Sequence, residues 1–303
     1  MTTVQTGLMI DETPIIRLET DLLQVDVAPS VGGRIVSILY KPAAHEFLWQ
    51  NASLKLERRP PGSEYDPYFY GGIDELLPGV LSETVDGITY PDHGELWTLE
   101  LETEMDAESL KVRGVLPLCG LSYERRLTLR DDGPFIDLDY RLGNQTDQSR
   151  TFAWAMHAPL RIEPGDQIDC PARFSRVADP RWSRWSSLEP FDWPQIGTER
   201  ADLIPAPDGT VAALFMYDLS EGQVGWRSKI RDVRFEYQFD RQIFPYVWYF
   251  ASYGGFYNHY TALLEPSTTM PHSVNEAREQ GQARTLTAGE TLTTRITIYA
   301  GSA

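Results

Sequence analysis

The chain has 303 residues, of which 42% are hydrophobic and 23% charged, and it carries a formal net charge of −17. This balance is typical of a soluble protein that can bury a sizeable core. The negative charge repels nucleic acids and anionic membrane surfaces, and no run of five or more Lys or Arg residues offsets it.

The cysteine content and the N-terminal residues indicate the cellular compartment. Two cysteines, Cys119 and Cys170, do not make a disulfide framework, and zinc-type Cys/His spacing is absent. The first ten residues lack the basic and apolar regions of a secretory signal, and no apolar run reaches the ~18 residues of a membrane span. We therefore expect a cytoplasmic protein with free thiols and without a membrane partner, a metal or a cofactor.

Period-2 alternation of apolar residues recurs along the chain. It is seen at Leu23, Val25 and Val27, and again through the segments 136–142 and 292–298. This period is the mark of strands with one buried face, and the intervening segment Asp131–Pro134 has the composition of a hairpin turn. Dispersed Gly and Pro cut the chain into short segments. The fold class we predict is all-β, a large antiparallel β-sandwich with very little helix.

Two segments depart from this pattern. Ser273–Gln280 has a capping Ser and a following Gly, and is predicted to be a helix of about two turns. Residues 178–208, rich in Pro, Trp, Ser and Asp, are predicted to be a long loop excursion over one face of the sheet. A linker between two domains is the alternative, but the Trp residues of this segment need a surface to pack on. We therefore expect a single domain over residues 1–303.

Three segments carry residues that can transfer protons. Asp74 and Glu75 lie in a Gly-Gly-Ile-Asp-Glu-Leu-Leu-Pro segment, which is followed by His93 in Pro-Asp-His-Gly-Glu-Leu-Trp. His157 lies in an apolar strand, where a lone His is more often a satisfied core residue. Glu265 closes another apolar strand, and a carboxylate there needs a partner or a function because its burial is costly. Nucleophile-elbow and phosphate-loop motifs are absent.

Together with Gly32-Gly33-Arg34 and the downstream Pro271-His272, these motifs occur in an order that resembles the aldose 1-epimerase, or galactose mutarotase-like, family over residues 22–300. The resemblance implies the sandwich fold of that family and a small sugar as substrate. It implies that His157 is the general acid that protonates the ring oxygen. It also implies that Glu265 is the general base at the anomeric hydroxyl and that His93 hydrogen-bonds the sugar near the ring oxygen.

The remaining roles match less cleanly. The family uses an Arg and an Asp to hold sugar hydroxyls, and Arg58 (or Arg59) and Asp240 are the candidates here. Asp74 and Glu75 are expected either to bind substrate or to shape the loop. Trp154 or Trp97 is expected to stack on the apolar face of a pyranose, with core packing as the alternative.

Three other functions stay open. A sugar-binding module would keep the aromatic residues and tolerate loss of the acid–base pair. A glycosidase needs two facing carboxylates, for which Glu265 with Asp74 or Glu75 are the candidates. A phosphosugar epimerase needs an Arg clamp, which Arg58-Arg59 or the Arg173–Arg184 stretch would have to supply. The sequence also leaves open which sugar binds and whether the chain forms a homodimer.

Overall fold

A computed structural model describes all 303 residues. The strands are, in chain order, β1 (Thr3–Ile10), β2 (Thr13–Glu19), β3 (Leu23–Ala28), β4 (Arg34–Tyr40), β5 (His45–Glu46), β6 (Asp74–Leu76), β7 (Glu83–Val85), β8 (Ile88–Tyr90), β9 (Glu102–Met105), β10 (Ser109–Val115), β11 (Leu121–Leu129), β12 (Phe135–Asn144), β13 (Arg150–Phe152), β14 (Ala155–Leu160), β15 (Gln167–Asp169), β16 (Ala172–Val177), β17 (Phe191–Asp192), β18 (Gln195–Ile196), β19 (Glu199–Arg200), β20 (Thr210–Leu219), β21 (Gln223–Ser228), β22 (Val233–Phe239), β23 (Tyr246–Tyr253), β24 (Tyr260–Ser267), β25 (Arg284–Leu286) and β26 (Thr291–Ser302).

Two large sheets dominate the structure. One has eight strands in the order β15-β21-β22-β26-β12-β11-β10-β9, and the other has seven in the order β17-β16-β20-β23-β24-β14-β6. Strands β1 to β5 form a further sheet, and three two-stranded sheets complete the set. The named strands pair antiparallel, as in β12 with β26. The prediction of a large antiparallel β-sandwich with little helix is confirmed.

The alternating pattern explains how the sheets pack. Ile136, Leu138 and Tyr140 are buried along β12, and Leu138 pairs with Ile296 of β26. Because side chains alternate across a strand, these residues form one apolar face. That face belongs to a core cluster of 62 buried residues, which also includes Met156 of the seven-stranded sheet. Burial of this shared core is the main force that holds the sheets together.

The predicted hairpin and helix are both present. Residues 131–134 form the turn between β11 and β12. The one α-helix, α1 (Val274–Glu279), begins after Ser273, whose hydroxyl accepts the backbone N–H of Glu276. This bond satisfies one of the amide groups that a helix start leaves unpaired.

Segment 178–208 connects β16 with β20. It contains the two-residue strands β17 to β19 and a 3₁₀ turn at Pro180–Trp182. Trp185 and Trp193 pack against the main core, whereas Trp182 is 47% exposed. The segment therefore covers one end of the seven-stranded sheet and leaves one indole beside the solvent.

Candidate functional site

A row of side chains crosses the seven-stranded sheet at one level. Trp248 of β23 pairs with Glu265 of β24, and His157 of β14 pairs with Asp74 of β6. The pairing of Ala158 with Leu264 sets the register that places His157 opposite Glu265. Residues directly opposite one another have Cβ atoms ~4.5–5.5 Å apart and share a face. The sheet therefore makes His157 and Glu265 neighbours although 108 residues separate them in the sequence (265 minus 157).

Asp74 and Tyr65 both contact one nitrogen of the His157 imidazole, on the side away from the cavity. Its Nδ1 lies 3.0 Å from Oδ1 of Asp74, and the hydroxyl of Tyr65 lies 3.1 Å from the same nitrogen. The Tyr65 hydroxyl also donates to Oδ2 of Asp74 at 2.8 Å. Since the carboxylate accepts the proton on Nδ1, Nε2 is the ring nitrogen left for a ligand. Asp74 thus fixes both the orientation and the tautomer of His157.

A buried ion pair keeps Asp74 charged. Nη2 of Arg34 lies 2.5 Å from Oδ2 of Asp74, and both side chains are at most 3% exposed. Burial by itself raises the pKa of a carboxyl group, but Arg34 and the hydrogen bonds from His157 and Tyr65 outweigh it and lower the pKa of Asp74.

The backbone at Gly71 supports this ion pair. Its carbonyl accepts Nη1 of Arg34 at 2.8 Å, and its φ of +100° lies outside the range that side chains favour. A Cβ at this position would meet the carbonyl oxygen of Trp49 at 2.1 Å. Only glycine fits here, so the Gly-Gly pair that precedes Asp74 has a structural reason.

His93 lies on the opposite wall of the site. Its ring stacks on Tyr65, with the ring centroids 4.0 Å apart and the planes 7° apart. Its Nδ1 lies 2.8 Å from Oδ1 of Asp92, while Nε2 is 4.0 Å from Oδ1 of Asp66. The ring centroids of His93 and His157 are 6.1 Å apart. Both imidazoles therefore face the same space.

Glu265 differs from the other buried carboxylates. It is 5% exposed, it makes no hydrogen bond within the protein, and no basic side chain pairs with it. Burial raises its pKa to about 8, with His93 opposing the shift and Asp74 adding to it. A carboxyl group with this pKa can change its protonation state near neutral pH, which a general base must do.

These groups open into one cavity of about 350 Å³. Its polar lining consists of Asp66, His93, His157, Asp179, Arg181, Glu265 and His272. The remainder is aromatic and aliphatic, including Tyr65, Phe69, Trp182, Trp248, Phe250 and Leu263. The structure thus brings His93, His157 and Glu265 together, and the cavity is within the size range of small-molecule sites.

Asp74 and Glu75 are both buried behind the cavity. Asp74 contacts His157 and Arg34, so its predicted contact with substrate is replaced by contact with the imidazole. Glu75 faces the opposite side of β6 because side chains alternate along a strand. There it accepts hydrogen bonds from Arg125, Tyr123 and Tyr140 between the two sheets. Neither residue lines the cavity, which corrects the substrate-binding prediction.

Three other predicted binding residues also lie outside the cavity. Arg58 is on the surface, paired with Glu100. Asp240 is exposed, and its carboxylate accepts the backbone N–H of Gln242 in the turn after β22. Trp154 is 1% exposed, and its ring contacts Tyr140 and Phe244 in the core. Their predicted roles in hydroxyl binding and stacking are corrected accordingly. Trp97, the alternative indole, is 3% exposed and does not line the cavity.

Sequence reasoning missed Tyr65, Arg34 and His272. No motif marked Tyr65, which a 3₁₀ turn at Asp66–Tyr68 presents to the site. Arg34 was visible in the Gly-Gly-Arg motif, but its partner lies 40 residues away. His272 lies next to the predicted helix, and its ring contacts Trp248 edge-on at 4.7 Å. In each case the missing information is a long-range contact.

No family model matches the sequence, and no curated protein sequence matches it either. Solved structures do match. The Slr1438 protein from Synechocystis sp. PCC 6803 is 15% identical with a TM-score of 0.75, over 98% of this chain and 99% of that one. A galactose mutarotase-like protein from Clostridium acetobutylicum is 15% identical with a TM-score of 0.72, over 99% of this chain and 98% of that one.

A galactose mutarotase related enzyme from Lactobacillus acidophilus is 13% identical with a TM-score of 0.70, over 95% of this chain and 97% of that one. These matches confirm that the chain has the galactose mutarotase-like fold. Identity this low establishes the fold alone, so the activity must be argued from the site. The structure also has no helix with the length and hydropathy of a membrane span.

Proposed function

We propose that this protein is an aldose 1-epimerase, which interconverts the α and β anomers of a sugar by opening and closing its ring. The observation that carries the proposal is the placement of Glu265 opposite His157 in one cavity, with a supported imidazole and an unpaired carboxyl group. Anomer exchange needs one proton removed from O1 and one delivered to the ring oxygen O5. A carboxylate and an imidazolium can perform both transfers.

The proposed reaction consists of two coupled proton transfers and a bond rotation. Ionised Glu265 takes the proton of the O1 hydroxyl while Nε2 of His157 donates a proton to O5. The C1–O5 bond breaks as the C1–O1 bond becomes a carbonyl, which gives the open-chain aldehyde. Rotation about the C1–C2 bond presents the other face of the carbonyl, and reversal of both proton transfers closes the ring.

The surrounding residues assist these transfers. Asp74 holds His157 in the orientation that presents Nε2 to the cavity, and Arg34 keeps Asp74 ionised. His93 lines the cavity 6.1 Å from the ring of His157, which supports the proposal that it hydrogen-bonds a sugar oxygen. We expect proton transfer by each of the two main residues to contribute roughly 10²–10⁴-fold in rate.

The other functions fit the site less well. For a glycosidase, Asp74 and Glu75 are not available as the second carboxylate because both are buried in ion pairs behind the cavity. For a phosphosugar epimerase, Arg58 and Arg59 lie outside the cavity and Arg181 is paired with Asp179. A sugar-binding module does not need a carboxyl group with a raised pKa, such as Glu265, beside an oriented imidazole, such as His157.

Anomer exchange can be measured directly by polarimetry or by NMR on freshly dissolved pure anomers, with and without the protein. The proposal expects acceleration in proportion to enzyme concentration, and a large loss in Glu265→Gln. Hydrolysis of a nitrophenyl glycoside without anomer exchange would favour the glycosidase. Sugar binding with an unchanged anomerisation rate would favour the binding module.

A further inference from the structure

His272 is a cavity residue that the proposed proton transfers do not use. It lines the same cavity as Glu265 and His157. Its side chain is partly buried, and neither ring nitrogen has a hydrogen-bond partner within the protein. Neither nitrogen is fully covered by protein, in contrast to Nε2 of His45. An unpaired imidazole that a ligand can reach from a cavity has the properties of a binding group.

The strand register fixes where His272 lies relative to Glu265. Trp248 of β23 pairs with Glu265 of β24, and Phe215 of β20 pairs with Trp248. The ring of His272 contacts the rings of Trp248 and Phe215 edge-on, at centroid distances of 4.7 Å and 4.9 Å. Because neighbouring strands lie ~4.8 Å apart, the imidazole lies roughly 5–10 Å from the strand of Glu265. It lies on the side away from β14, the strand that carries His157.

The backbone on both sides of His272 is held in place. Before it, Nε1 of Trp248 donates to the carbonyl oxygen of Thr269 at 2.9 Å. After it, the hydroxyl of Ser273 donates to Oε2 of Glu83 at 2.8 Å. A side chain on an anchored backbone loses little conformational freedom when a ligand binds. The position of the imidazole relative to the strand pair of the sheet is therefore set before a sugar enters.

The other polar groups at this end are paired or lie outside the cavity. Nε and Nη2 of Arg181 donate to the carboxylate of Asp179 at 3.0 Å and 2.6 Å, and the Arg181 side chain is 84% exposed. The guanidinium of Arg176 lies 5.6 Å from the ring centre of Phe215, but Arg176 does not line the cavity. An exposed group keeps its water when a sugar binds beside it, whereas a partly buried imidazole loses it. His272 is therefore the group at this end that needs a hydrogen bond from the ligand.

The proposed reaction fixes which part of the sugar faces His272. It places the ring oxygen O5 at His157 and the hydroxyl O1 at Glu265. Around a pyranose ring, C1 is followed by C2 and then C3 on the side away from O5. A line from His157 past Glu265 therefore leads to the substituents at C2 and C3, whereas the C6 group is attached beside O5.

We propose that His272 hydrogen-bonds the sugar hydroxyl at C2 or C3 and thereby selects aldoses that carry a free hydroxyl there. The inference rests on the proposed function, because that function fixes which edge of the sugar faces Glu265. Burial lowers the pKa of His272 to about 4, and His93 adds to the shift, so the ring is neutral near pH 7. A neutral imidazole has one N–H donor and one acceptor, which match a hydroxyl. A sugar without this hydroxyl removes the water from the ring and leaves it without a partner, which is costly.

The test combines a substitution in the protein with deletions in the sugar. The parent is whichever of D-glucose, D-galactose and D-mannose the wild type exchanges fastest, and its 2-, 3-, 4- and 6-deoxy derivatives complete the panel. For each sugar, kcat/KM for anomer exchange is measured by NMR, with correction for the spontaneous reaction, and Kd is measured by calorimetry. We expect the 2-deoxy or the 3-deoxy sugar to have a kcat/KM roughly 10–100-fold below that of the parent, the factor for one buried group left without a partner.

His272→Phe assigns that loss to the imidazole. The substitution keeps an aromatic ring against Trp248 and Phe215 and removes both nitrogens. We expect it to lower kcat/KM for the parent by roughly 10–100-fold, and to have little effect on the one deoxy sugar that lacks the contacted hydroxyl. The 4- and 6-deoxy sugars should respond to the substitution as the parent does. His45→Phe is the matched control, because His45 is also partly buried without a side-chain hydrogen bond but does not line this cavity.

The outcomes separate the two proposals. A wild type that exchanges the 2- and 3-deoxy sugars as fast as the parent overturns the inference, whether or not the variant folds, and leaves the epimerase standing. So does a folded His272→Phe protein whose rates fall by the same factor, or not at all, on every sugar. Binding without any exchange overturns the epimerase, and the same comparison of Kd values then decides the inference. Neither exchange nor binding across the panel overturns both.

Discussion

Asp74 and His157 face each other across paired strands, with Oδ1 of the carboxylate 3.0 Å from Nδ1 of the imidazole. Asp74 does not line the cavity, yet it decides which nitrogen of His157 faces a ligand. It therefore acts as a positioning residue rather than a catalytic one. Three residues complete its environment, namely Tyr65, Arg34 and the glycine whose carbonyl holds the guanidinium.

Tyr65→Phe tests this positioning network. The change removes the hydroxyl that donates to Asp74 but keeps the ring that stacks on His93. We expect a loss of about 1 kcal/mol in unfolding free energy, the usual cost of one hydrogen bond, and roughly a tenfold fall in kcat. Urea denaturation and anomerisation kinetics measure the two effects. An unchanged kcat would mean that Asp74 orients His157 without Tyr65.

Asp74→Asn tests the buried charge itself. The substitution keeps the size of the side chain but leaves Arg34 unpaired in a buried position, which costs about 3–5 kcal/mol. We also expect activity to fall, because His157 loses the carboxylate that orients its ring. Denaturation at several pH values and kinetics on the folded fraction measure both. Asp240→Asn, at an exposed turn, is the control and should change neither.

Part of this site could be read from the sequence, and part could not. The sequence indicated His93, His157 and Glu265 because each is a titratable residue within an apolar or Gly-rich segment. The alternation that predicted β12 and β26 also holds, since Leu138 and Ile296 are buried partners. These signals are local, or depend only on the period of a strand.

The failures concern side chains whose partners are distant in sequence. Glu75 pairs inside the core with Arg125, which lies 50 residues away, and the sequence around Glu75 gives no sign of this partner. Trp154 shares the parity of Met156 rather than that of His157, and so faces the core. The alternation could have excluded Trp154 from the site once His157 was assigned to the cavity face.

Removal of Trp154 tests that correction. Trp154→Ala creates a cavity among Tyr140 and Phe244, and we expect a loss of about 3–5 kcal/mol in unfolding free energy. The KM of the protein that remains folded should stay near the wild-type value, because the indole does not line the site. Calorimetric unfolding and kinetics at low temperature measure the two quantities. A raised KM with normal stability would show that Trp154 contacts the sugar after all.

The pH dependence of activity follows from the buried carboxyl group. Burial raises the pKa of Glu265 to about 8, so the base is mostly protonated at neutral pH in the free enzyme. We expect kcat/KM to rise with pH through about 8, because the ionised form of Glu265 is the base. Anomerisation rates between pH 5 and 10 test this, after correction for the spontaneous reaction. A rise of kcat/KM near pH 4–5 instead would show that Glu265 has an ordinary pKa in the working enzyme.

Glu265→Gln separates catalysis from stability. The raised pKa means that the folded state binds this proton more tightly than the unfolded state, whose carboxyl group ionises near pH 4.5. Between pH 4.5 and about 8 the folded state therefore holds more protons, and the unfolding free energy falls as pH rises. Gln is neutral at every pH, so the unfolding free energy of the variant does not fall with pH for this reason. We expect it to be more stable than the wild type at pH 8 by at least about 1 kcal/mol, and equally stable near pH 4.

The same variant should lose roughly 10²-fold or more in anomerisation rate, because Gln cannot accept the O1 proton, while sugar binding stays largely intact. Urea denaturation at pH 4 and pH 8, with anomerisation rates and calorimetric Kd on the same preparation, gives all three quantities. Glu12→Gln provides a surface control, since it makes the same chemical change at an exposed turn position that does not line the cavity. A variant that gains stability at pH 8 but keeps the wild-type rate would show that Glu265 is buried and strained without being the base.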